Sequence, residues 1–335
     1  MRAVLSLLIV VVAGCGLERV RASQGLPAFR DDTGERFEVR VPMRDGIELA
    51  TRVFLPASPG PHPVVFTRNP YPLDAVLDQR CRLFVRFGYA CVHQKVRGQG
   101  KSEGQWVPFM HEHDDGWDAL DWIDGQPWSS GRVAMLGESY LASVQWAVAG
   151  PPHPSLRTIV PTVMGTDPYA IAYEHGLWRH ELATAWMALM PDRGLRFFSG
   201  GRYAKALRTR PRAEMDVVAS GEVRPWFRDW LAHPDHDDPF WKEQATARVR
   251  YAPEQTTLPV LMIGGWSDGF LGPMIDTWTR LATQRESTMI VGPWNHLGNV
   301  PSDLPIDGVR GGLGTTGEMV QWRRVVDWLD HHLLD

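Results

Sequence analysis

The sequence lacks the charge pattern of a nucleic-acid-binding protein. Its 35 lysines and arginines are outnumbered by 39 acidic residues, and no basic run or basic helix face stands out. Because phosphate backbones are recognised through clustered positive charge, nucleic acid is not an expected partner. Internal repeats and low-complexity tracts are also absent. A content of 44% hydrophobic and 22% charged residues is typical of a soluble globular protein.

Apolar runs of membrane-spanning length are missing as well. The apolar stretch at residues 3–13 is too short to span a bilayer as a helix, but it follows Arg2 as the apolar region of a signal peptide does. Its end, Val12-Ala13-Gly14-Cys15, resembles a bacterial lipobox, which implies cleavage before Cys15 and lipidation of that residue. An ordinary signal peptide is the alternative. We expect residues 1–14 to be a signal peptide, residues 15–34 a tether, and the mature protein to be lipid-anchored in the bacterial cell envelope, in the periplasm or at the outer membrane.

Cysteine is scarce, and apart from Cys15 the chain contains Cys81 and Cys91. An even pair in an exported protein is compatible with a disulfide. The sequence places Cys81 on a helix at residues 76–87 and Cys91 on a strand at residues 90–96, however. The α-carbons of two such residues can lie too far apart for a bridge. Two buried free thiols are therefore the preferred interpretation, with a disulfide as the alternative.

Short apolar runs bounded by turn residues alternate with helical patterns through most of the chain. Strands are predicted at residues 37–41, 48–55, 63–67, 90–96, 133–136, 158–163, 259–265 and 288–292, and helices at residues 76–87, 115–123 and 318–334. The first two strands flank the turn Arg44-Asp45-Gly46, which favours a hairpin. The alternation predicts an α/β fold, a mostly parallel sheet with helices on both faces.

A strand, a sharp turn and a helix are predicted in succession at residues 131–150. The apolar run at residues 133–136 leads into Gly137-Glu138-Ser139-Tyr140, after which apolar residues recur at helical spacing. This order is typical of a nucleophile elbow, whose turn presents a serine hydroxyl beside the free amides of a helix start. Ser139 is therefore a candidate nucleophile, although Leu141 stands where the second glycine of G-x-S-x-G is usual.

A serine nucleophile needs a base and a carboxylate that orients this base. Asp268 follows the strand at residues 259–265, and His296 follows the strand at residues 288–292. In α/β hydrolases the chain order is Ser, Asp, His, each in a loop after a strand. We therefore predict that Ser139, Asp268 and His296 form a catalytic triad.

The segment at residues 169–255 departs from the alternation of strands and helices. It is rich in tryptophan, arginine and helix formers, and it lacks a convincing buried strand. Because it is inserted between two predicted strands, we interpret it as a helical cap over the carboxyl edge of the sheet, where ligands bind in such folds. Residues 35–168 and 256–335 are then the two parts of one α/β-hydrolase domain.

Several ordered motifs carry a resemblance to a known family. They are MRDGIELATRVFLP (residues 43–56), RNPYP (68–72), VRGQGKSEG (96–104), QPWSSGRVAMLGESYLA (126–142), HPDHDDPFW (233–241), GGWSDGF (264–270) and GPWNH (292–296). Together they resemble the CocE/NonD hydrolases, which include cocaine esterase, α-amino acid ester hydrolases and bacterial X-prolyl dipeptidyl peptidases. The resemblance implies an α/β-hydrolase fold with an inserted helical cap. The family elbow is G-x-S-Y-x-G, which accounts for Leu141, and here Ala142 replaces its last glycine.

The resemblance also implies a role for Tyr71. In this family the tyrosine at that motif position supplies its hydroxyl to the oxyanion hole, beside the backbone N–H of the residue after the nucleophile, here Tyr140. A turn tyrosine in a Pro-rich loop is the alternative. Two features depart from the family: Lys95 stands where aspartate is common, and the usual C-terminal jelly-roll domain does not follow the last helix. A naturally short form, a truncated gene, and a partner or oligomer that replaces the domain are the alternatives.

The run His111-Glu112-His113-Asp114-Asp115 is partly similar to a metal-binding motif, but the terminal histidine is absent. We predict instead that its acids cap the helix that follows. The resemblance requires no cofactor and no metal, and we expect none.

Taken together, the motifs predict an exported serine hydrolase that cleaves ester or amide bonds of a small molecule or short peptide through an acyl-enzyme. Several aromatic residues are candidates for an apolar acyl pocket: Tyr173, Trp178, Trp186, Trp266 and Phe270. One alternative is an X-prolyl dipeptidyl peptidase, in which Glu138, Asp167 or Glu174 would bind a substrate amino terminus. Another is a non-catalytic lipoprotein that keeps the fold as a binding module.

Overall fold

Strands and helices follow one another closely in the computed structural model, which describes residues 17–18, 21–22, 25–190, 200–243, 246–298 and 317–334. The strands are β1 (Thr33–Pro42), β2 (Glu48–Pro56), β3 (His62–Asn69), β4 (Ala90–Lys95), β5 (Ser129–Glu138), β6 (Leu156–Thr162), β7 (Tyr173–Glu174), β8 (Leu177–Trp178), β9 (Leu261–Ser267) and β10 (Thr288–Asn295). The helices are α1 (Asp74–Arg86), α2 (Glu112–Asp124), α3 (Tyr140–Trp146), α4 (Tyr169–Ala172), α5 (Ala185–Leu189), α6 (Gly200–Arg208), α7 (Met215–Ser220), α8 (Pro225–Ala232), α9 (Pro239–Glu243), α10 (Thr246–Gln255), α11 (Leu271–Arg280) and α12 (Gly317–Leu333). A π-helical turn (His180–Thr184) precedes α5, and short 3-10 turns occupy Arg212–Glu214 and Gln284–Glu286.

The predicted signal peptide at residues 1–14 and the predicted lipidation site, Cys15, lie outside the described residues. The predicted tether is described in part, and β1 begins within it at Thr33. Among the residues that the structure describes, no helix is long and apolar enough to cross a membrane.

Eight strands form one sheet in the order β1-β2-β4-β3-β5-β6-β9-β10. β1 and β2 are antiparallel, as are β2 and β4, whereas each neighbouring pair from β4 to β10 is parallel. Every residue of β4 is buried, whereas β1 at the sheet edge is largely exposed. Interior strands of a parallel sheet are apolar on both faces because both faces are covered. The predicted hairpin and the predicted mostly parallel sheet are confirmed.

Two clusters of buried side chains cover the two faces of the sheet. On one face, α2, α3 and α11 pack with the cap, and Leu120 of α2 shares a cluster with Phe66 of β3. On the other face, α1 and α12 pack together, and Phe84 of α1 shares a cluster with Val65. Neighbouring residues of a strand point to opposite faces, so Val65 and Phe66 belong to different clusters. The predicted covering of both faces by helices is therefore confirmed.

The segment between β6 and β9 is mainly helical and runs from α4 to α10. The strands described within it form a small hairpin, in which Tyr173 of β7 pairs with Trp178 of β8. Its interior is strongly aromatic, and the rings of Trp226 and Trp230 lie 4.9 Å apart between centroids. These elements make up the described part of the segment predicted as a cap, residues 169–255, whose bounds as a separate domain stay a prediction.

Cys81 and Cys91 form a disulfide, so the preference for two free thiols is wrong. Their α-carbons are 5.2 Å apart, which is within the range that a disulfide spans. Gly88, with φ +86°, lies in the short turn that returns the chain from α1 to β4. Because this turn is short, the helix packs directly on the strand and the two cysteines meet in the core.

Candidate active site

Ser139 stands at the apex of a sharp turn between β5 and α3. Its backbone has φ +60° and ψ −122°, a conformation that residues other than glycine rarely adopt. The turn requires glycine two residues earlier, because a Cβ on Gly137 would lie 2.4 Å from the Cβ of Leu141. Helix α3 begins at Tyr140, so the serine side chain lies beside the free amides of a helix start. The strand, turn and helix predicted around Ser139 are all present.

The imidazole of His296 links Ser139 to Asp268. Its Nε2 lies 3.1 Å from the Oγ of Ser139, and its Nδ1 lies 3.1 Å from each carboxylate oxygen of Asp268. The Asp268 side chain is 1% exposed and the His296 side chain 29% exposed. The carboxylate is thus shielded from water, whereas the imidazole is accessible from outside. The structure brings together the three residues that the chain order singled out.

The sheet topology explains why these distant residues meet. β5, β6, β9 and β10 are parallel neighbours, so their carboxyl ends lie at one edge of the sheet. Asp268 directly follows β9, and its carboxylate also accepts the backbone N–H of Phe270 at 2.9 Å. His296 directly follows β10. Asp268 therefore follows a largely buried strand, and His296 follows the neighbouring edge strand, which is half-buried.

The hydroxyl of Tyr71 lies near Ser139. Burial raises the pKa of the Tyr71 phenol, and the nearby Ser139 side chain and Tyr140 backbone N–H oppose that rise. The indole N–H of Trp186, from α5, donates to the Tyr71 oxygen at 3.3 Å. A protonated phenol and a backbone amide therefore meet beside the Oγ of Ser139. Two such neutral donors suit an oxygen atom that gains negative charge.

The ring of Tyr140 is held by a buried cluster that the sequence did not reveal. Its hydroxyl donates to the Oε1 of Glu112 at 2.7 Å and accepts the backbone N–H of Phe109 at 2.9 Å. The indole N–H of Trp106 lies 3.4 Å from the same hydroxyl. Burial holds the pKa of Tyr140 well above its usual value, so the hydroxyl remains a donor. Because the ring is fixed, the backbone N–H of this residue is fixed as well.

Glu112 and Asp115 do not cap α2 as predicted, because their carboxylates turn into the core. The Oε2 of Glu112 lies 2.6 Å from the Nη1 of Arg68, and the Oδ1 of Asp115 lies 2.6 Å from the Nη2 of Arg97. Arg68 is fully buried at the carboxyl end of β3. Burial raises the pKa of Glu112, and the charge of Arg68 opposes that rise. The positive charge of the buried Arg68 offsets the cost of burying the Glu112 carboxylate. No pattern in the sequence indicates this pairing.

Two of the predicted pocket aromatics contact residues around Ser139, and a third lies near the end of β9. Trp186 contacts the hydroxyl of Tyr71, and the ring of Phe270 is centred 5.3 Å from that of His296. Trp266, at the end of β9, is 64% exposed. Trp186 and Phe270 therefore border the site directly, whereas Trp266 offers an apolar surface at the same sheet edge.

The other two predicted pocket residues pack inside the cap. The hydroxyl of Tyr173 donates to the carbonyl of Trp230 at 3.0 Å, and the indole N–H of Trp178 donates to the Thr184 hydroxyl at 2.9 Å. Both side chains are buried. With their polar atoms paired within the cap, Tyr173 and Trp178 are accounted for by packing there, and their role in a pocket stays a prediction.

The acids considered for binding a substrate amino terminus are all near arginine. The separations are 2.7 Å from Glu138 to Arg80, 3.5 Å from Asp167 to Arg250 and 3.9 Å from Glu174 to Arg179. A carboxylate already balanced by a guanidinium has less attraction for a second cation.

Among the described residues, no group of three His, Cys, Asp or Glu side chains is arranged to hold a metal ion.

Comparisons with known proteins agree with the motifs. A model of the family described as X-Pro dipeptidyl-peptidase (S15 family) matches residues 45–298. The cocaine esterase of Rhodococcus sp. (strain MB1 Bresler) is 32% identical over 282 residues, which cover 77% of this chain and 48% of the esterase. The chain therefore spans about half the length of this curated relative.

Solved structures show the same fold. An aminopeptidase from the marine sediment archaeon Thaumarchaeota archaeon matches with a TM-score of 0.72 and 25% identity, over 91% of this chain and 55% of that one. An α-amino acid ester hydrolase matches with a TM-score of 0.73 and 23% identity, over 92% of this chain and 56% of that one. The predicted α/β-hydrolase fold is confirmed. This chain belongs to the X-Pro dipeptidyl-peptidase (S15) family, the CocE/NonD proteins that its motifs resemble.

Proposed function

We propose that the protein is an exported serine hydrolase that cleaves ester or amide bonds of small acyl compounds, with Ser139 as nucleophile. One observation carries the proposal: a hydrogen-bonded path runs from Asp268 through His296 to Ser139, which stands at a positive-φ turn. A serine hydroxyl in contact with a carboxylate-oriented imidazole is the arrangement that activates it for attack.

The reaction has two halves in this proposal. In the first, the Oγ of Ser139 attacks the substrate carbonyl while the Nε2 of His296 takes its proton, and Asp268 stabilises the resulting imidazolium. The imidazolium then gives the proton to the leaving alcohol or amine, which leaves an acyl-enzyme. In the second half, His296 removes a proton from water, and the hydroxide formed attacks the acyl carbonyl. The proton returns to Ser139 as the acid is released.

Tyr71 and the backbone N–H of Tyr140 serve as the oxyanion hole. The influence of Ser139 and of the Tyr140 N–H on the pKa of Tyr71 supports this role, because it requires all three groups to be near neighbours. Charge develops on the carbonyl oxygen only in the tetrahedral intermediate, so donors placed there lower the barrier more than they strengthen substrate binding.

A small ester or amide fits the site better than a peptide with a free amino terminus. Recognition of that amine requires an acid without a competing cation, and the acids considered for it lie close to arginines. The 32% identical relative is described as a cocaine esterase, which supports an ester substrate.

The first test is labelling with a fluorophosphonate probe, which phosphonylates an activated serine and releases fluoride. The wild-type protein is expected to be labelled and Ser139→Ala to remain unlabelled, because the bond forms at the Oγ of Ser139. Ser58→Ala removes an exposed serine hydroxyl elsewhere and should label as the wild type does. A folded wild-type protein that takes no label would favour the non-catalytic binding module.

We also propose that the mature protein is lipid-anchored through Cys15. Support comes from the apolar run and lipobox-like residues before Cys15 and from the Cys81–Cys91 disulfide, which suits an oxidising compartment. Cys15→Ser is expected to move the protein from the membrane to the soluble fraction, since the acyl chains provide the attachment. Fractionation and mass spectrometry of the mature N-terminal peptide measure this. Equal distribution of wild type and variant would favour an ordinary signal peptide.

A further inference from the structure

Lys95, the last residue of β4, carries a buried ammonium group next to the loop that holds Tyr71. Its side chain is 8% exposed. The Nζ donates a hydrogen bond to the backbone carbonyl of Tyr71 and lies 3.3 Å from the Oδ1 of Asp74, in the first turn of α1. One charged group thus joins the end of β4 to the loop between β3 and α1 and to the first residue of α1.

The lysine is held by the glycine-rich loop that follows β4. Gly100, with φ +57°, packs against the aliphatic part of Lys95, and a Cβ at that position would lie 3.2 to 3.4 Å from three of its carbons. The hydroxyl of Ser102 donates to the backbone carbonyl of Lys95 at 2.9 Å. The ammonium therefore has a defined position and is not a mobile surface charge.

The backbone N–H and the backbone carbonyl of Tyr71 both form hydrogen bonds with side chains. Its N–H donates to the Oδ1 of the fully buried Asn69 at 2.7 Å, and its carbonyl accepts from Lys95. Pro70 and Pro72 flank it and restrict the neighbouring backbone dihedrals. A phenol hydroxyl lies far from its own α-carbon, so a small rotation of this peptide would displace it from Ser139.

We propose that Lys95 is a positioning residue that sets the hydroxyl of Tyr71 in the oxyanion hole by anchoring the Tyr71 carbonyl. The inference rests on the function proposed above and deepens it. Lys95 does not touch the substrate; it acts through Tyr71 alone. This distinguishes it from a residue that supports the fold in general.

The charges around Lys95 are compatible with this role. Burial lowers its pKa, Asp74 of α1 opposes that shift, and Arg52 of β2 adds to it. Arg52 also lies 3.2 Å from Asp78, so the positive charges at this end of the sheet are balanced by two carboxylates of α1.

The test measures ester hydrolysis and the rate of fluorophosphonate labelling in Lys95→Met, which keeps the aliphatic stem and removes the ammonium. We expect kcat to fall about tenfold to a hundredfold with KM little changed, because misplaced catalytic groups cost rates of this order. Lys101→Met is the matched control, since Lys101 is an exposed lysine of the loop that follows β4. It should leave kcat unchanged.

A double-mutant cycle with Tyr71→Phe separates positioning from general support of the fold. If Lys95 acts through the Tyr71 hydroxyl, Lys95→Met should cost almost nothing further once that hydroxyl is gone. An equal loss in both backgrounds would overturn the inference, as would a wild-type kcat in Lys95→Met. If Lys95→Met does not fold, Asp74→Asn takes its place in the cycle. We expect Asp74→Asn to lower kcat several-fold in the wild-type background and not at all in the Tyr71→Phe background. Equal losses in the two backgrounds would overturn the inference.

The two proposals fail in different ways. If the folded wild-type protein is neither labelled nor active, the proposed function is wrong. If the wild type is labelled through Ser139 and Lys95→Met is labelled at the same rate, the function stands and the role of Lys95 is wrong.

Discussion

Replacing His296 with alanine is expected to lower the rate of ester hydrolysis by roughly a millionfold, the size of effect that follows loss of a triad base. Without the imidazole, no described group within hydrogen-bonding distance of the Ser139 Oγ can take its proton, because Tyr71 offers a phenol whose pKa is raised by burial. Initial rates with an activated small ester measure the effect. KM should change little, since His296 acts mainly in the transition state.

His331→Ala is the matched control for this prediction. His331 is an exposed histidine near the end of α12, so its removal should leave the hydrolysis rate as it was. A loss of only about tenfold in His296→Ala would mean that another group serves as the base, since a positioned general base contributes about a hundredfold or more.

The second large effect is expected from Tyr71→Phe, which should lower kcat by about a hundredfold to a thousandfold, the cost of one oxyanion donor. The substitution removes a single oxygen atom, so the ring can keep its edge contact with Tyr140, whose centroid is 6.5 Å away. The loss should appear in kcat and not in KM, because the hydroxyl stabilises charge that exists only in the intermediate. Steady-state kinetics on one ester give both parameters.

Tyr169→Phe is the control for the tyrosine. Its hydroxyl donates to the carbonyl of Pro234 within the cap at 2.8 Å, so removing it should affect stability slightly and leave kcat near the wild-type value. If Tyr71→Phe were also fully active, the backbone N–H of Tyr140 would have to stabilise the oxyanion without this hydroxyl, and the turn-tyrosine interpretation would stand.

The parts of the fold that could be predicted are those that local patterns specify. Apolar runs mark β3, β5, β6 and β9, which are largely buried as parallel strands covered on both faces are, and a further apolar run marks the edge strand β10. Asp268 and His296 could be found because each directly follows such a strand, and parallel strands end at a common edge. Tyr71 required the family resemblance, since nothing in RNPYP itself indicates that its hydroxyl reaches Ser139.

What could not be predicted depends on contacts between distant segments. Glu112 and Asp115 look like the acids of a helix start, and only the fold reveals that Arg68 and Arg97 lie beneath them. The Cys81–Cys91 bridge depends on how closely α1 returns over β4, which no helix or strand pattern specifies. In each case the partner of the side chain belongs to a neighbouring element, and the pattern within one helix or strand does not indicate which element packs against it.

The end of β3 has a consequence for how this family can diversify. The guanidinium of Arg68 pairs with Glu112, and Glu112 accepts the hydroxyl hydrogen bond of Tyr140. Tyr71, three residues after Arg68, has its hydroxyl near the backbone N–H of Tyr140. Both proposed oxyanion donors are thus supported by residues of β3 and β4, in the middle of the sheet. Among the described hydrogen bonds of Tyr71, the cap contributes that of Trp186. A cap remodelled for a different acyl group would therefore leave the support that the sheet gives to both proposed donors unchanged.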